Sequence, residues 1–324
     1  MTTGAQPMRL RHTLLAALLL YGSGNALAQS DRALRIVVAA AAGGPSDFVA
    51  RLLAPRLGEA LHQNIVVDNR ASANGVAGAD IAAKAAPDGL TLAVGNSGTH
   101  AINAALYKRL PYDPLRDFAP ISQLVVSPMV LVATPRLQYN TVADVIAAAR
   151  REPNKLNIAI AGASGQLAGE ALKAQMKIAL NNVPYKGGVP ATLAVIGGES
   201  DVSLLTLQGA VAQINAGRIK ALGVTTLRRT PALPNVPTMA ESGVEGFDFG
   251  VWHGLFAPAG TPDAIVRKLN AEVVRILNLA ESKQRLAPEG YEVIAGTPEQ
   301  FTIVLKREIG RYRKIVVDAG IPRE

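Results

Sequence analysis

The chain has 324 residues, a formal charge of +8, 49% hydrophobic residues, 4% aromatics and no cysteine. This admits one large or two ordinary domains with a sizeable core, and it excludes a disordered chain. It also excludes disulfides, thiolate catalysis and thiolate metal sites, and scattered basic residues without interleaved aromatics argue against nucleic acid.

Arg9 and Arg11 precede the short apolar run TLLAALLLYG (Thr13 to Gly22), and Ala26-Leu27-Ala28 stands before Gln29 as a small-x-small site. Residues 1–28 therefore read as a secretory signal peptide, with an apolar run too short to span a bilayer. The alternative is an N-terminal anchor; no cysteine follows the run to make a lipoprotein. Setting aside Arg9 and Arg11 leaves a formal +6 of the original +8 on the exported, soluble chain.

Strand-like and helical runs then alternate. Leu34 to Ala39 reads as a strand, Phe48 to Leu61 as a helix that Pro55 kinks, and Asn64 to Asp68 as a strand. Gly78 to Ala86 is a small-residue helix, Leu90 to Gly95 a strand, Ala101 to Tyr107 helical and Ile121 to Val132 extended. A capping box at Thr141 to Asp144 starts a helix ending at Arg151. Leu156 to Ala161 is a strand, Gly165 to Met176 a helix, and Asn182 to Pro184 leads into Tyr185-Lys186-Gly187-Gly188. Ala191 to Ile196 and Ala210 to Ala216 read as helices, Asp201 to Leu205 and Ile219 to Thr225 as strands. Beyond Pro231, Pro234 and Pro237, Val251 to Ala257 is extended. Thr261-Pro262 and Thr297-Pro298 each supply a cap and a first-turn proline for a terminal helix. The first of these helices carries Ile265, Leu269, Val273 and Ile276 on one face, and the second runs Phe301 to Asp318. Such alternation predicts α/β architecture with parallel strands.

Three strands end in small-residue loops that open helices: Ala39 to Asp47, Gly95 to Ala101 and Ala161 to Gln166. Ligands of open α/β sheets bind at the carboxyl ends of strands. A bare loop lets a ligand reach the backbone, and the helix behind it offers unpaired N–H groups with about half a positive charge. That combination suits an anion without any basic side chain, and Ser46, Ser97, Thr99 and Ser164 add hydroxyls. The plain alternative for any one loop is a tight turn with ordinary helix-start residues. Three loops of one design favour a site.

Phosphate-binding fingerprints G-x-x-x-x-G-K-[ST] and G-x-G-x-x-G are absent from these loops. His62, His100 and His253 are isolated, Gly162-Ala163-Ser164-Gly165 lacks nucleophile-elbow spacing, and no metal cluster stands out. His100 reads as a capping or packing residue before a ligand contact. Lys186 either neutralises an acidic ligand or is a solvated turn residue. Trp252 reads as core or hinge packing.

The chain resembles the Bug-type substrate-binding proteins of tripartite tricarboxylate transporters. The likeness rests on AAGGPSDFVARLLA (Ala41 to Ala54), VVDNRASANGVAGAD (Val66 to Asp80), AKAAPDGLTL (Ala83 to Leu92) and LPYDPLRDFAPIS (Leu110 to Ser122). It continues in VPYKGG (Val183 to Gly188), PALPNVPTMAESG (Pro231 to Gly243) and GLFAPAGTP (Gly254 to Pro262). The resemblance implies a periplasmic type II binding-protein fold, with two α/β lobes closing on a small carboxylate. The implied lobes are residues 29–126 with 253–324, and residues 127–252, with strand-like hinges near Ser127 and Val251. The implied grip comes from Ala39, Ala40, Ala42, Gly43, Gly44, Pro45, Ser46 and Asp47 on one side. Ala163, Ser164 and Gly165 face them, with Asn96, Ser97, Lys186, Gly187 and Thr206 as further carry-overs. The partners implied are the organic anion and a membrane permease; no cofactor, metal or catalysis is expected, and the chain is expected to be a monomer.

Two departures from the family stand out. Ala39-Ala40 replaces its frequent Pro-aromatic pair, which predicts a wider or flatter pocket. Arg70 to Gly75 replaces a turn richer in Gly and Pro, read here as a surface change. Rival readings are an extracytoplasmic ligand sensor and an exported hydrolase with a Ser/His/acid set in the cleft.

Overall fold

Aliphatic and β-branched residues make Leu34–Val38 (β1) a buried central strand. Parallel neighbours flank it, Ile65–Asn69 (β2) on one side and Thr91–Asn96 (β3) on the other. The computed structural model describes Met1 and residues 32–323; apart from Met1, the expected signal peptide lies outside the described residues. A second parallel trio repeats the plan: Asn157–Ala161 (β5) lies between Asn181–Tyr185 (β6) and Val202–Thr206 (β7).

Two long antiparallel strands join the trios. Phe118–Ala133 (β4) pairs through Phe118 to Pro128 with Gly250–Pro258 (β9), which also pairs with β3. From Met129 onward β4 pairs instead with β7 and with Lys220–Val224 (β8). The main path is β2-β1-β3-β9-β4-β7-β5-β6, with β8 and the two-residue Glu292–Val293 (β10) also on β4. The result is a two-lobed α/β fold in which the C-terminal ends of both parallel trios are followed by helices.

Helices cover both faces. Pro45–Leu61 (α1) buries Val49, Leu52, Leu53 and Leu57 on β1 and β3, together with Val266, Leu269, Val273 and Ile276 of Asp263–Asn278 (α8). Each such aliphatic side chain contributes roughly 1.5–3 kcal/mol when fully buried. The opposite face is one continuous core shared by both lobes. It joins Phe118, Trp252 and Phe256 to Val142, Ile146 and Leu167. Pro298–Asp318 (α10) closes it with Phe301, Leu305, Ile309 and Tyr312.

Local signals explain most helix ends. Val142–Arg151 (α4) and α10 start with capping boxes: Thr141 with Asp144, and Thr297 with Gln300. The Thr261 expectation fails, because Pro262 holds the N-cap position and the Thr261 hydroxyl donates to the Pro258 carbonyl at 2.8 Å. Pro55 lies inside α1, which continues to Leu61.

Other differences come from helices reaching further back toward their strands than polar composition suggests. Gly162–Met176 (α5) starts directly after β5, so the expected loop Gly162 to Gln166 is its first turn. Leu207–Asn215 (α7) likewise starts directly after β7, and Gly188–Gly197 (α6) starts three residues before the expected Ala191. Val76–Ala83 (α2) follows a 3₁₀ turn at Ala73–Gly75. The helix expected at Ala101 divides into a π turn, Gly98–Ile102, and the short Asn103–Leu106 (α3). Ala280–Leu286 (α9) and β10 were not anticipated, being a charged helix and a two-residue strand.

Candidate binding cleft

The first loop is shaped by backbone needs. Gly43 has φ +79 with open space where a Cβ would stand, so conformation alone selects glycine there. Gly44 is the N-cap of α1 and has no side chain to satisfy the first turn, and Pro45 has no N–H. The Phe48 N–H returns to the Gly44 carbonyl at 2.9 Å. The Ser46 and Asp47 amides therefore lead the helix dipole without a side-chain cap.

Asp47 supports this loop from behind. Its buried carboxylate accepts the Gly43 N–H at 2.9 Å and the Arg51 Nε–H at 2.9 Å. Burial alone would raise its pKa. The Arg51 and Gly43 hydrogen bonds, joined by one with Asn69, more than offset this and hold the group below the usual carboxylate range. Arg51 also donates to Asn69 Oδ1 at 3.2 Å, and Asn69 Nδ2 donates to the Ala40 carbonyl at 3.2 Å. The carboxylate is thus engaged with its own loop.

Asn96 ties the first loop to the loop after β3. Its Nδ2 donates to Ser46 Oγ at 3.1 Å, and its Oδ1 accepts the Thr99 N–H at 3.0 Å. Ser97 is fully buried, and its Oγ has no hydrogen-bond partner among the described residues. Gly98 has no room for a side chain: its Cβ position would lie 2.9 Å from Asn96 Oδ1, 3.3 Å from Ser164 Oγ and 3.7 Å from Ala163 Cβ. Asn96, Gly98, Ala163 and Ser164 are therefore brought together, and with them the ends of β3 and β5.

The second lobe repeats the uncapped design. α5 begins at Gly162 (φ +72) with Ala161 as N-cap, α6 with Gly187 (φ +113) and α7 with Thr206. None of these N-caps makes a side-chain hydrogen bond to its helix, and neither does Gly44. The two capping boxes of the fold belong to α4 and α10, which begin away from the ends of β1, β5, β6 and β7. Ala163 and Gly165 are buried, Ser164, Gly187 and Thr206 half-buried, and Lys186 exposed. No hydrogen bond links Lys186, Gly187 or Thr206 to the first loop among the described residues.

Ala39 and Ala40 are both half-buried. The Ala39 backbone is pressed onto α2: a Cβ at Gly78 would lie 2.7 Å from Ala39 Cα, and one at Gly75 2.7 Å from Ala39 O. Ala40 packs against the α1–α8 core, while Ala41, Ala42 and Gly43 are exposed.

Both candidate histidines near the cleft are core residues. His100 stacks on Phe256 (centroids 4.1 Å, 12°), and its Nδ1 meets Thr99 Oγ1 at 2.8 Å. His253 lies on β9 opposite Asn96, with neither ring nitrogen hydrogen-bonded. Burial lowers both pKa values to about 3, so both rings are neutral. Trp252 is also buried, edge-on to Phe301 at 5.3 Å, as expected of a packing residue. Among the described residues no His/Asp/Glu group could hold a metal ion, and no helix is long and apolar enough to cross a membrane.

Sequence reading missed the supports of the site: Arg51 and Asn69 behind Asp47, and Tyr291, whose hydroxyl donates to the Pro45 carbonyl at 3.1 Å. Asp47 and Arg51 were findable as an i,i+4 pair in the first turns of a helix; Tyr291 carries no local signal.

Two α/β lobes joined by crossing strands, with uncapped helix N-termini at the strand ends, define a periplasmic solute-binding receptor of the type II class. The family model "Tripartite tricarboxylate transporter family receptor" matches residues 49–321, and the chain belongs to that family. Among curated relatives, "UPF0065 protein in tcbD-tcbE intergenic region" of Pseudomonas sp. (strain P51) is 36% identical, covering 89% of this chain and 86% of its own. "Protein BugT" of Bordetella pertussis is 32% identical over 89% of this chain and 90% of its own. Among solved structures, "R. palustris Rpa4515 with adipate" is 35% identical with a TM-score of 0.87, covering 90% of this chain and 98% of that one. MatC from Rhodopseudomonas palustris with bound malate is also 35% identical, with a TM-score of 0.84, covering 88% of this chain and 99% of that one.

Proposed function

We propose that this chain, exported with removal of residues 1–28, captures a small carboxylate in the periplasm and delivers it to a membrane permease. The carrying observation is that α1, α5, α6 and α7 begin at the ends of parallel strands with no side-chain cap. Uncapped helix starts leave backbone N–H groups and positive dipole ends for a bound anion. The adipate and malate bound by the two solved relatives are both carboxylates, which supports the same ligand class here.

The working parts are a lobe of residues 29–126 with 253–324 and a lobe of residues 127–252. We place the hinges where β4 changes partner, at Pro128 and Met129, and where the chain enters β9 at Gly250. Ala39 to Asp47 then forms one jaw, with Asn96 and Ser97 beside it. Ala163, Ser164 and Gly165 form the other, with Lys186, Gly187 and Thr206 at its edge. The hydrolase alternative gains no support, because among the described residues His253 makes no hydrogen bond and His100 hydrogen-bonds only Thr99.

Thermal shift with mono-, di- and tricarboxylates, amino acids and neutral or cationic solutes tests this reading. Stabilisation by one or more carboxylates is expected, since a ligand at 100 times its Kd adds about 2.7 kcal/mol. Stabilisation by neutral or cationic solutes alone would overturn it.

A further inference from the structure

Away from β4 and β9, the lobes also meet where α7 faces the turn after α9. Gly290 is the left-handed residue that ends this turn: its N–H donates to the Ala287 carbonyl at 3.0 Å, and the Tyr291 N–H to the Leu286 carbonyl at 3.1 Å. Its φ of +77 suits glycine by itself. Yet a Cβ at Gly290 would also lie 2.4 Å from Cδ2 and 2.9 Å from Cγ of Leu207, the first residue of α7. Carbon atoms need about 3.5–4.0 Å, so a side chain at 290 forces the buried Leu207 to yield, by a shift of its own side chain or of α7 against the turn.

The seam continues into the first jaw. Tyr291 is buried and donates its hydroxyl to the Pro45 carbonyl in the first turn of α1 at 3.1 Å. Its ring stacks on Phe48 (centroids 5.8 Å, 10°) and stands edge-on to His253 (5.8 Å, 80°). His253 is the β9 residue opposite Asn96, which holds Ser46. A chain of direct contacts thus runs from Leu207 in one lobe to the uncapped helix start in the other.

We propose that Leu207 seated on Gly290 is a steric stop on lobe closure at this seam, beside the cleft contact of Gly98 with Ala163 and Ser164, and that Tyr291 carries this contact to the first turn of α1. The proposal rests on the hinged two-lobe reading above and is independent of which ligand binds. Opening the clamp lifts Leu207 off the glycine; closing it brings the buried leucine back against the glycine backbone. Tyr291 then presents Ser46 and Asp47 to the cleft in one orientation.

The chain has no cysteine, so spin labels at Ala212→Cys on α7 and Ala271→Cys on α8 report the seam cleanly, read without ligand and with the acid that gives the largest thermal shift, since the stop acts in the closed clamp. Gly290→Ala is expected to lengthen the label distance by about 1 Å or more, and adding Leu207→Ala to restore it. The positive-φ strain is common to both variants, so it cannot produce the restoration. If Gly290→Ala melts below the working temperature, Gly290→Asn, which tolerates positive φ, takes its place with the same expectations. Tyr291→Phe is expected to leave the distance unchanged while shifting the amide resonances of Ser46 and Asp47. An unchanged distance in the Gly290 variant, or a lengthening that Leu207→Ala does not reverse, refutes the stop. Unmoved Ser46 and Asp47 resonances in Tyr291→Phe refute the link to α1. Shortening of the label distance in the unsubstituted protein on adding the acid tests the carboxylate reading separately, so its failure is distinguishable from failure of the stop.

Discussion

Asp47 is the one acidic side chain in the first jaw, and its carboxylate bonds Gly43 and Arg51 behind the loop. On the proposed reading an anion would meet the amides of the turn while the resident charge is engaged by Arg51. Asp47→Asn loses an ionic acceptor and leaves Arg51 with a weaker partner, which is expected to cost about 1–3 kcal/mol. The pH dependence follows from its depressed pKa. The contribution is fully present above the ordinary carboxylate pKa of about 3.9 and is lost as pH falls through the lower folded value. Denaturant unfolding of wild type and Asp47→Asn should give curves that differ at pH 6, with a gap that narrows as pH falls below about 3.9. A gap that stays constant as pH falls through this range would contradict this role.

At the scale of elements, the informative feature is where uncapped helices begin: α8 and α9 also lack a side-chain cap, but α1, α5, α6 and α7 start at the ends of parallel strands. Thr141 and Thr297 close their helices with capping boxes, whereas Gly44, Ala161, Gly187 and Thr206 leave theirs open. Gly44→Asp should turn this arrangement against the ligand. Its backbone is already extended (φ −81, ψ 173), as an N-cap requires. The new carboxylate is expected to hold or raise the melting temperature while weakening carboxylate binding at least tenfold, read by calorimetric titration. Unchanged affinity would mean that the α1 amides do not bind ligand.

These elements also mark what the sequence could reveal. Strand cores such as LRIVV and NIAIA, and the Thr-x-x-Asp and Thr-Pro-x-Gln starts, were legible because apolar runs and caps are local signals. Gly162 to Ser164 read as loop ahead of a helix expected from Gly165, because a glycine and a serine lower helix propensity, yet the helix starts at Gly162, directly after β5. For the same reason α7 begins three residues before the expected Ala210. Thr261 misled because its hydroxyl bonds backward to Pro258 instead of forward into α8. Tyr291, Gly290 and Leu207 were invisible because their meaning lies in contacts between segments distant in sequence.

At the scale of the whole molecule, two parallel trios share two antiparallel strands, and one hydrophobic core continues across both lobes on one face. On the proposed reading, hinge closure would flex these two connecting strands. Family membership and the carboxylates bound by solved relatives agree with capture of a small acid. The most direct measurement is calorimetric titration of the acid that gives the largest thermal shift, beside its neutral amide of the same carbon skeleton. The account predicts that the acid binds and the amide binds at least a hundredfold more weakly, since only the acid brings negative charge to the open helix starts. An amide that binds as tightly as the acid would contradict it.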